Sequence, residues 1–165
     1  MKRLFIALEI PGKEKEVLNK ISNEIAKSVY GTFVDKDKMH VTVRFLGDTN
    51  IEEERIKNAI EAINEGFHRE ITIQGLDAFY RDGSPTVLFF RVATDLSDVN
   101  LALSKLLGIE AEKDFHPHVT VCRLKGENNV ESIKEKYSNF SLSFTSKGLA
   151  LFDSDFKSYR RIIGP

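Results

Sequence analysis

The tetrapeptide His-Val-Thr-Val occurs twice in this chain, at His40–Val43 and at His118–Val121. Each copy sits in the same succession of predicted elements. Leu4-Phe5 opens a strand, a helix follows, then the strand carrying the first copy, then another helix. Leu88-Phe89 opens a strand, and the same order runs again through the second copy. Between residues 39–48 and 117–126, half of the aligned positions are identical. A chain patterned in this way is predicted to fold as two similar halves related by a rough two-fold axis. The motif strands would then lie side by side or face each other across a cleft.

The rest of the pattern is consistent with that plan. Residues 3–9 read as a buried strand, because Glu9 and the following Pro11-Gly12 interrupt what would otherwise resemble a signal peptide. From Pro11, the residues Val17, Leu18, Ile21, Ile25 and Val29 recur at helical spacing, with Gly31 as a natural stop. Asp35–Lys38 forms a loop into the motif strand at 39–46, which Gly47-Asp48 closes. Thr49 or Asn50 is expected to cap the next helix, with Glu52 or Glu53 completing a capping box. Ile56, Ile60 and Ile63 then face the core, and Gly66 ends the helix. Strands at 70–80 and 86–93 flank a turn at Arg81-Asp82-Gly83-Ser84-Pro85. A helix near 95–108, the motif strand at 118–124 and a helix near 129–138 follow. Two further strands are expected in 140–152 and 158–163. No stretch resembles a linker. Residues 1–165 are therefore predicted to form a single α+β domain of two pseudo-symmetric lobes, each an antiparallel sheet backed by helices, around a central cleft.

Composition narrows the functional classes. Cys122 is the only cysteine, so neither an intrachain disulfide nor a thiolate metal cluster is available, and a reducing cytoplasm is the expected compartment. The formal net charge of −1 argues against coating nucleic acid by bulk electrostatics; any RNA would be handled in a local pocket. No apolar run approaches the roughly 18 residues needed to span a bilayer.

Side chains alternate along a strand, so His40, Thr42 and Arg44 share one face while Val41, Val43 and Phe45 share the other. His118 and Thr120 likewise oppose Val119 and Val121. The valines suit a core, which turns the imidazoles and hydroxyls toward the cleft. In-line displacement at phosphorus needs a base on the entering oxygen and an acid on the departing one. Two histidines of ordinary pKa, about 6.5, can supply both. Hydroxyls can donate to the non-bridging oxygens as charge builds. No metal is required. His40, His116 and His118 are a competing metal set, but no carboxylate or third histidine stands at a familiar ligand spacing. Arginines are the natural phosphate forks. Strand parity favours Arg44, and Arg123 reaches the cleft only if the strand twists or bulges near its end. Cys122 is expected to be packed rather than reactive. Tyr80, Phe45 and Phe115 are candidates for stacking a nucleobase, against a plain core role.

The two segments Met39-His40-Val41-Thr42-Val43-Arg44-Phe45-Leu46-Gly47-Asp48 and Pro117-His118-Val119-Thr120-Val121-Cys122-Arg123-Leu124 resemble the paired motifs of the two-histidine phosphoesterase superfamily. Within it, the chain is most similar to the LigT-like RNA 2′,3′-cyclic phosphodiesterases, also called 2′-5′ RNA ligases. Arg3-Leu4-Phe5-Ile6-Ala7 resembles the family's first strand, and Leu151-Phe152-Asp153-Ser154 with Tyr159 resembles its end. Cys122, where a small residue is common, and the ending Arg160-Arg161-Ile162-Ile163-Gly164-Pro165 depart from the family pattern. The resemblance implies hydrolysis of a terminal 2′,3′-cyclic phosphate to a 2′-phosphate, with His40 as acid on the departing 3′ oxygen and His118 as base on water. Thr42 and Thr120 would hold the phosphate. The family's arginine five residues after the second histidine falls on Arg123, which places Arg123 ahead of Arg44. A 5′-hydroxyl replacing water would give a 2′-5′ linkage at the same site, without a cofactor. The implied partners are RNA ends bearing a cyclic phosphate, tRNA fragments among them, with no membrane association and a monomeric protein. Two other readings remain open at this point. One is a phosphodiesterase of a small cyclic nucleotide or an ADP-ribose cyclic phosphate. The other is a non-catalytic module that binds nucleotides or RNA.

Overall fold

Five consecutive apolar residues, Leu4–Leu8, bounded by Arg3 and by Glu9 and Pro11, suit a short strand covered on both faces. In the computed structural model, which describes residues 3–154 and 159–164, this segment is β1 (Arg3–Glu9), with every residue from Leu4 to Leu8 buried. Met1, Lys2, residues 155–158 and Pro165 lie outside the described residues, so the first residue of the strand expected at 158–163 does too, as do the side chains of Tyr159, Arg160, Arg161 and Ile163. The remaining strands are β2 (Gly31–Phe33), β3 (His40–Asp48), β4 (Arg69–Arg81), β5 (Ser84–Val92), β6 (His118–Leu124), β7 (Ser141–Ser146), β8 (Leu149–Ser154) and β9 (Tyr159–Ile163). The helices are α1 (Gly12–Ile25), α2 (Glu53–Asn64), α3 (Ser97–Leu107) and α4 (Glu131–Lys136). None of the described helices is long and apolar enough to cross a membrane.

Two antiparallel sheets result, with strand orders β3-β1-β8-β9 and β2-β6-β5-β4-β7. In each, a motif strand pairs with a strand from the start of its own half: β3 with β1, and β6 with β5. This is the two-lobed α+β plan expected from the repeat. The lobes are not contiguous in sequence, however. β2 leaves the first half to edge the second sheet, and β8–β9 leave the second half to complete the first.

Three local expectations change. Gly31 does not stop α1, which ends at Ile25; it opens β2 instead. A Cβ at Gly31 would lie 2.3 Å from the Arg123 carbonyl oxygen and 2.6 Å from Cys122 Sγ, so only glycine lets β2 approach β6 this closely. The capping box at α2 does not form. Glu52 is the N-cap without a side-chain cap, and Thr49 Oγ1 accepts from the Ile51 amide at 3.1 Å. The expected strand over 140–152 is two strands in different sheets. The break falls at Gly148, with φ of +144°. There Asn64, the last residue of α2, grips the chain: its Nδ2 donates to the Leu149 carbonyl at 2.9 Å and its Oδ1 accepts from the Leu149 amide at 2.6 Å. β7 alternates buried and exposed residues whereas β8 opens on four buried ones, so the change of pattern at Ser146-Lys147-Gly148 marks the crossover.

The motif strands are alike residue by residue. From His40 to Leu46 and from His118 to Leu124, the sequence is half-buried, buried, half-buried, buried, buried, exposed, half-buried. The two adjacent buried positions mark a bulge in each strand. Thr42 pairs with Ala7 and Arg44 with Ile6, leaving Val43 over; Thr120 pairs with Phe89 and Cys122 with Leu88, leaving Val121 over. A bulge leaves backbone groups without ladder partners, and buried ones must bond elsewhere. The Val43 carbonyl accepts from Asn100 Nδ2 on α3 at 2.8 Å, and the Val121 carbonyl accepts from the Val34 amide at 2.9 Å.

Candidate active site

β3 and β6 approach each other directly where the two sheets meet. Between them lies a cavity of about 390 Å³, whose lining includes His40, Thr42, His118, Thr120 and Arg123. The fold therefore gathers both copies of the motif at one place, with the valines of each turned into the core.

The bulges decide where the arginines go. Beyond each bulge, the side-chain alternation is reversed. Cys122 consequently turns inward and is fully buried, its thiol pushed up to about 11 by burial. Arg123 turns outward and lines the cavity. In the other lobe, Arg44 takes the inward place and Phe45 the outward one, 57% exposed. Parity read through an unbroken strand had favoured Arg44. Its guanidinium also borders the cavity, but it is engaged: Nη2 donates to the Glu110 carbonyl at 2.7 Å and Nη1 pairs with Glu112 at 2.9 Å. Arg44 thus ties the first lobe to the segment leading into β6.

That segment carries His116, whose carbonyl accepts from His118 Nδ1 at 2.7 Å. With Nδ1 holding the proton, Nε2 of neutral His118 is left as an acceptor. The backbone of Lys38, likewise two residues earlier, interacts with His40 and favours its protonated form. His116 is exposed and contributes its carbonyl, and His68 is exposed at a distance from the cavity. Among the described residues, no group of three or more His, Cys, Asp or Glu could hold a metal ion.

Each imidazole has an aromatic wall. His40 stacks on Phe5 of β1 with centroids 4.7 Å apart and lies 6.0 Å from Phe152 of β8. His118 meets Phe79 of β4 edge-on and Phe89 of β5 at a tilt, each at 5.1 Å. Enclosure by apolar rings disfavours the charged imidazolium. Burial accordingly lowers His40 to about 4, against a smaller raising effect of the Lys38 carbonyl; nearby Lys15 and His118 lower it further. Burial lowers His118 as well, opposed by the His116 carbonyl. Both rings are therefore neutral at pH 7 in the empty cleft.

These phenylalanines were not singled out as site residues from sequence. The doubled Leu-Phe was a signal, although the two copies are out of register: Phe5 pairs with Phe45, and Phe89 with Thr120. Of the three aromatics considered for stacking, Phe45 and Phe115 line the cavity. Tyr80 does not; its hydroxyl donates to Glu131 at 3.0 Å and accepts from Lys134 at 3.2 Å.

Comparison with known proteins identifies the family. The profile of the 2′-5′ RNA ligase superfamily matches residues 13–156. An RNA 2′,3′-cyclic phosphodiesterase of Archaeoglobus fulgidus is 32% identical over 147 residues, covering 84% of this chain and 82% of that protein. One from Methanocaldococcus jannaschii is 27% identical, covering 92% and 91%. A crystal structure from Thermus thermophilus superposes with a TM-score of 0.73 at 22% identity, covering 98% of this chain and 95% of that one. E. coli LigT complexed with 3′-AMP superposes with a TM-score of 0.70 at 19% identity, with the same coverage. Matched over most of its length in sequence and fold, this chain belongs to the 2′-5′ RNA ligase superfamily.

Proposed function

We propose that this protein is an RNA 2′,3′-cyclic phosphodiesterase that opens a terminal cyclic phosphate to a 2′-phosphate by acid–base catalysis between His40 and His118. The observation that carries the reading is the convergence of two matched imidazoles on one cavity, with a threonine of each motif and Arg123 also in its lining. The names of the relatives, RNA 2′,3′-cyclic phosphodiesterases at 32% and 27% identity, support the substrate.

In this reading His118 is the base. Its Nδ1 proton is held by the His116 carbonyl, so Nε2 takes the proton of an attacking water. The new P–O bond forms as the bond to the 3′ oxygen breaks, and His40 gives that oxygen its proton. His40 must first acquire a proton, which a ring lowered to about 4 does not hold in an empty cleft. The anionic phosphate provides the counter-charge that raises it. Thr42, Thr120 and Arg123 hold the non-bridging oxygens as their charge grows. If an RNA 5′-hydroxyl enters in place of water, the same steps form a 2′-5′ linkage, and the strained ring supplies the driving force.

The test is incubation with an RNA oligomer ending in a 2′,3′-cyclic phosphate. A 2′-phosphate product is expected, and a clean 3′-phosphate would rule out His40 as acid on the 3′ oxygen. A module that only binds nucleotides would yield neither product.

A further inference from the structure

The cleft does not end at Arg123. Beyond the bulge, Arg123 lines the cavity, and Lys125, just past the end of β6 at Leu124, follows two residues on, about 7 Å along an extended chain. Across the ladder, Thr32 pairs with Arg123, and the Lys125 amide donates to the Tyr30 carbonyl at 3.0 Å. Directly opposed residues share a face; beyond the intervening Gly31–Leu124 pair, Tyr30 and Lys125 are the next residues on the face of Thr32 and Arg123. The Tyr30 ring is 81% exposed.

A single exposed aromatic is ordinary on a protein surface. This one is distinguished by its fixed backbone and its place beside the cavity. Asn128 brackets it: Oδ1 accepts from the Tyr30 amide at 2.8 Å, while Nδ2 donates to the Tyr30 carbonyl at 3.0 Å and to the Lys125 carbonyl at 3.1 Å. Gly31 permits the tight β2–β6 approach that sets the rung in place. An exposed aromatic on a fixed backbone, across the ladder from a lysine and two residues beyond Arg123, suits single-stranded nucleic acid: cations follow the backbone and rings stack on bases.

We infer that the edge formed by β2 and the end of β6 is the track along which the RNA strand leaves the cleft. Lys125 pairs with a phosphate 5′ of the cyclic end, and Tyr30 stacks on a neighbouring base. This rests on the proposed phosphodiesterase reading and adds to it that the preferred substrate is an oligonucleotide rather than a cyclic mononucleotide. Another pocket, lined by Arg91, His116 and Asp77, is the competing path; Lys134 pairs with its Asp77 at 3.4 Å, and the experiment therefore includes Arg91.

The experiment compares kcat/KM for a nucleoside 2′,3′-cyclic monophosphate and for a hexanucleotide with the same end. Tyr30→Ala and Lys125→Ala should each lower the hexamer value roughly tenfold and leave the monomer value unchanged. Lys125→Ala should also flatten the salt dependence of hexamer affinity by a slope of about 0.7, one phosphate contact's worth. Equal losses on both substrates, no loss on either, or a hexamer-specific loss in Arg91→Ala instead would overturn the track. If the wild type hydrolyses neither substrate, the phosphodiesterase reading fails. Fluorescence anisotropy with a 2′-phosphorylated hexamer then decides the track by itself: it stands if both variants weaken binding and falls if neither does.

Discussion

At the scale of single residues, catalytic roles and protonation states are linked through burial. His40→Ala and His118→Ala are each expected to lower kcat at least about a hundredfold on a cyclic-phosphate RNA. The pH dependence has a distinct form. In the free protein both imidazoles titrate low, His40 near 4, so the limbs of kcat/KM should lie on the acid side of ordinary histidine values. Bound phosphate raises both rings, so the limbs of kcat should fall at higher pH; coincident limbs would show that the phosphate does not sit between them. Stability follows the same burial. Between about pH 6.5 and 4 the unfolded chain binds a proton at residue 40 that the folded chain refuses, so stability falls as pH is lowered through that window. The loss attributable to His40 is up to about 3 kcal/mol, and thermal melts of His40→Gln should show a smaller decline from pH 7 to 4 than the wild type. The histidines and threonines were legible because they recur in matched strands. The phenylalanine walls were not, because an inward ring and a cleft-facing ring look the same until strand pairing is known.

At the scale of elements, the paired bulges control the site. They reverse the alternation after Thr42 and Thr120, sending Arg123 to the cavity and Arg44 to the interface with Glu110 and Glu112. One extra residue in a strand has no compositional mark, which is why parity alone pointed to Arg44. Replacing Arg44 with Met keeps the buried stem and removes both anchors. The expected result is a loss of about 1–3 kcal/mol in stability and a roughly ten- to hundredfold lower kcat as the segment holding His118 drifts. Denaturant melts and steady-state kinetics check both; unchanged kcat would separate Arg44 from His118. Gly31→Ala places a methyl against the Arg123 carbonyl and the Cys122 sulfur. It should cost about 1–3 kcal/mol by overpacking, read as a lowered denaturation midpoint.

At the scale of the whole molecule, two sheets exchange strands so that neither lobe is complete without the other. The repeat showed that there would be two lobes and that the motifs would meet. It could not show the exchange, because β2 is three residues long and strand pairing between distant segments leaves no mark on local pattern. Interleaving fixes the relative placement of β3 and β6, which the proposed action of two imidazoles on one phosphorus atom requires. Activity is expected to persist in excess chelator, since the proposed proton transfers need no cation. The claim that both imidazoles act on a single phosphate is tested most directly by kcat of His40→Ala, His118→Ala and the double variant on the same cyclic-phosphate RNA. Groups that act as a unit are not additive. The double variant should therefore be about as slow as the slower single variant, whereas a rate reduced by the product of the two single effects would show that the histidines work independently.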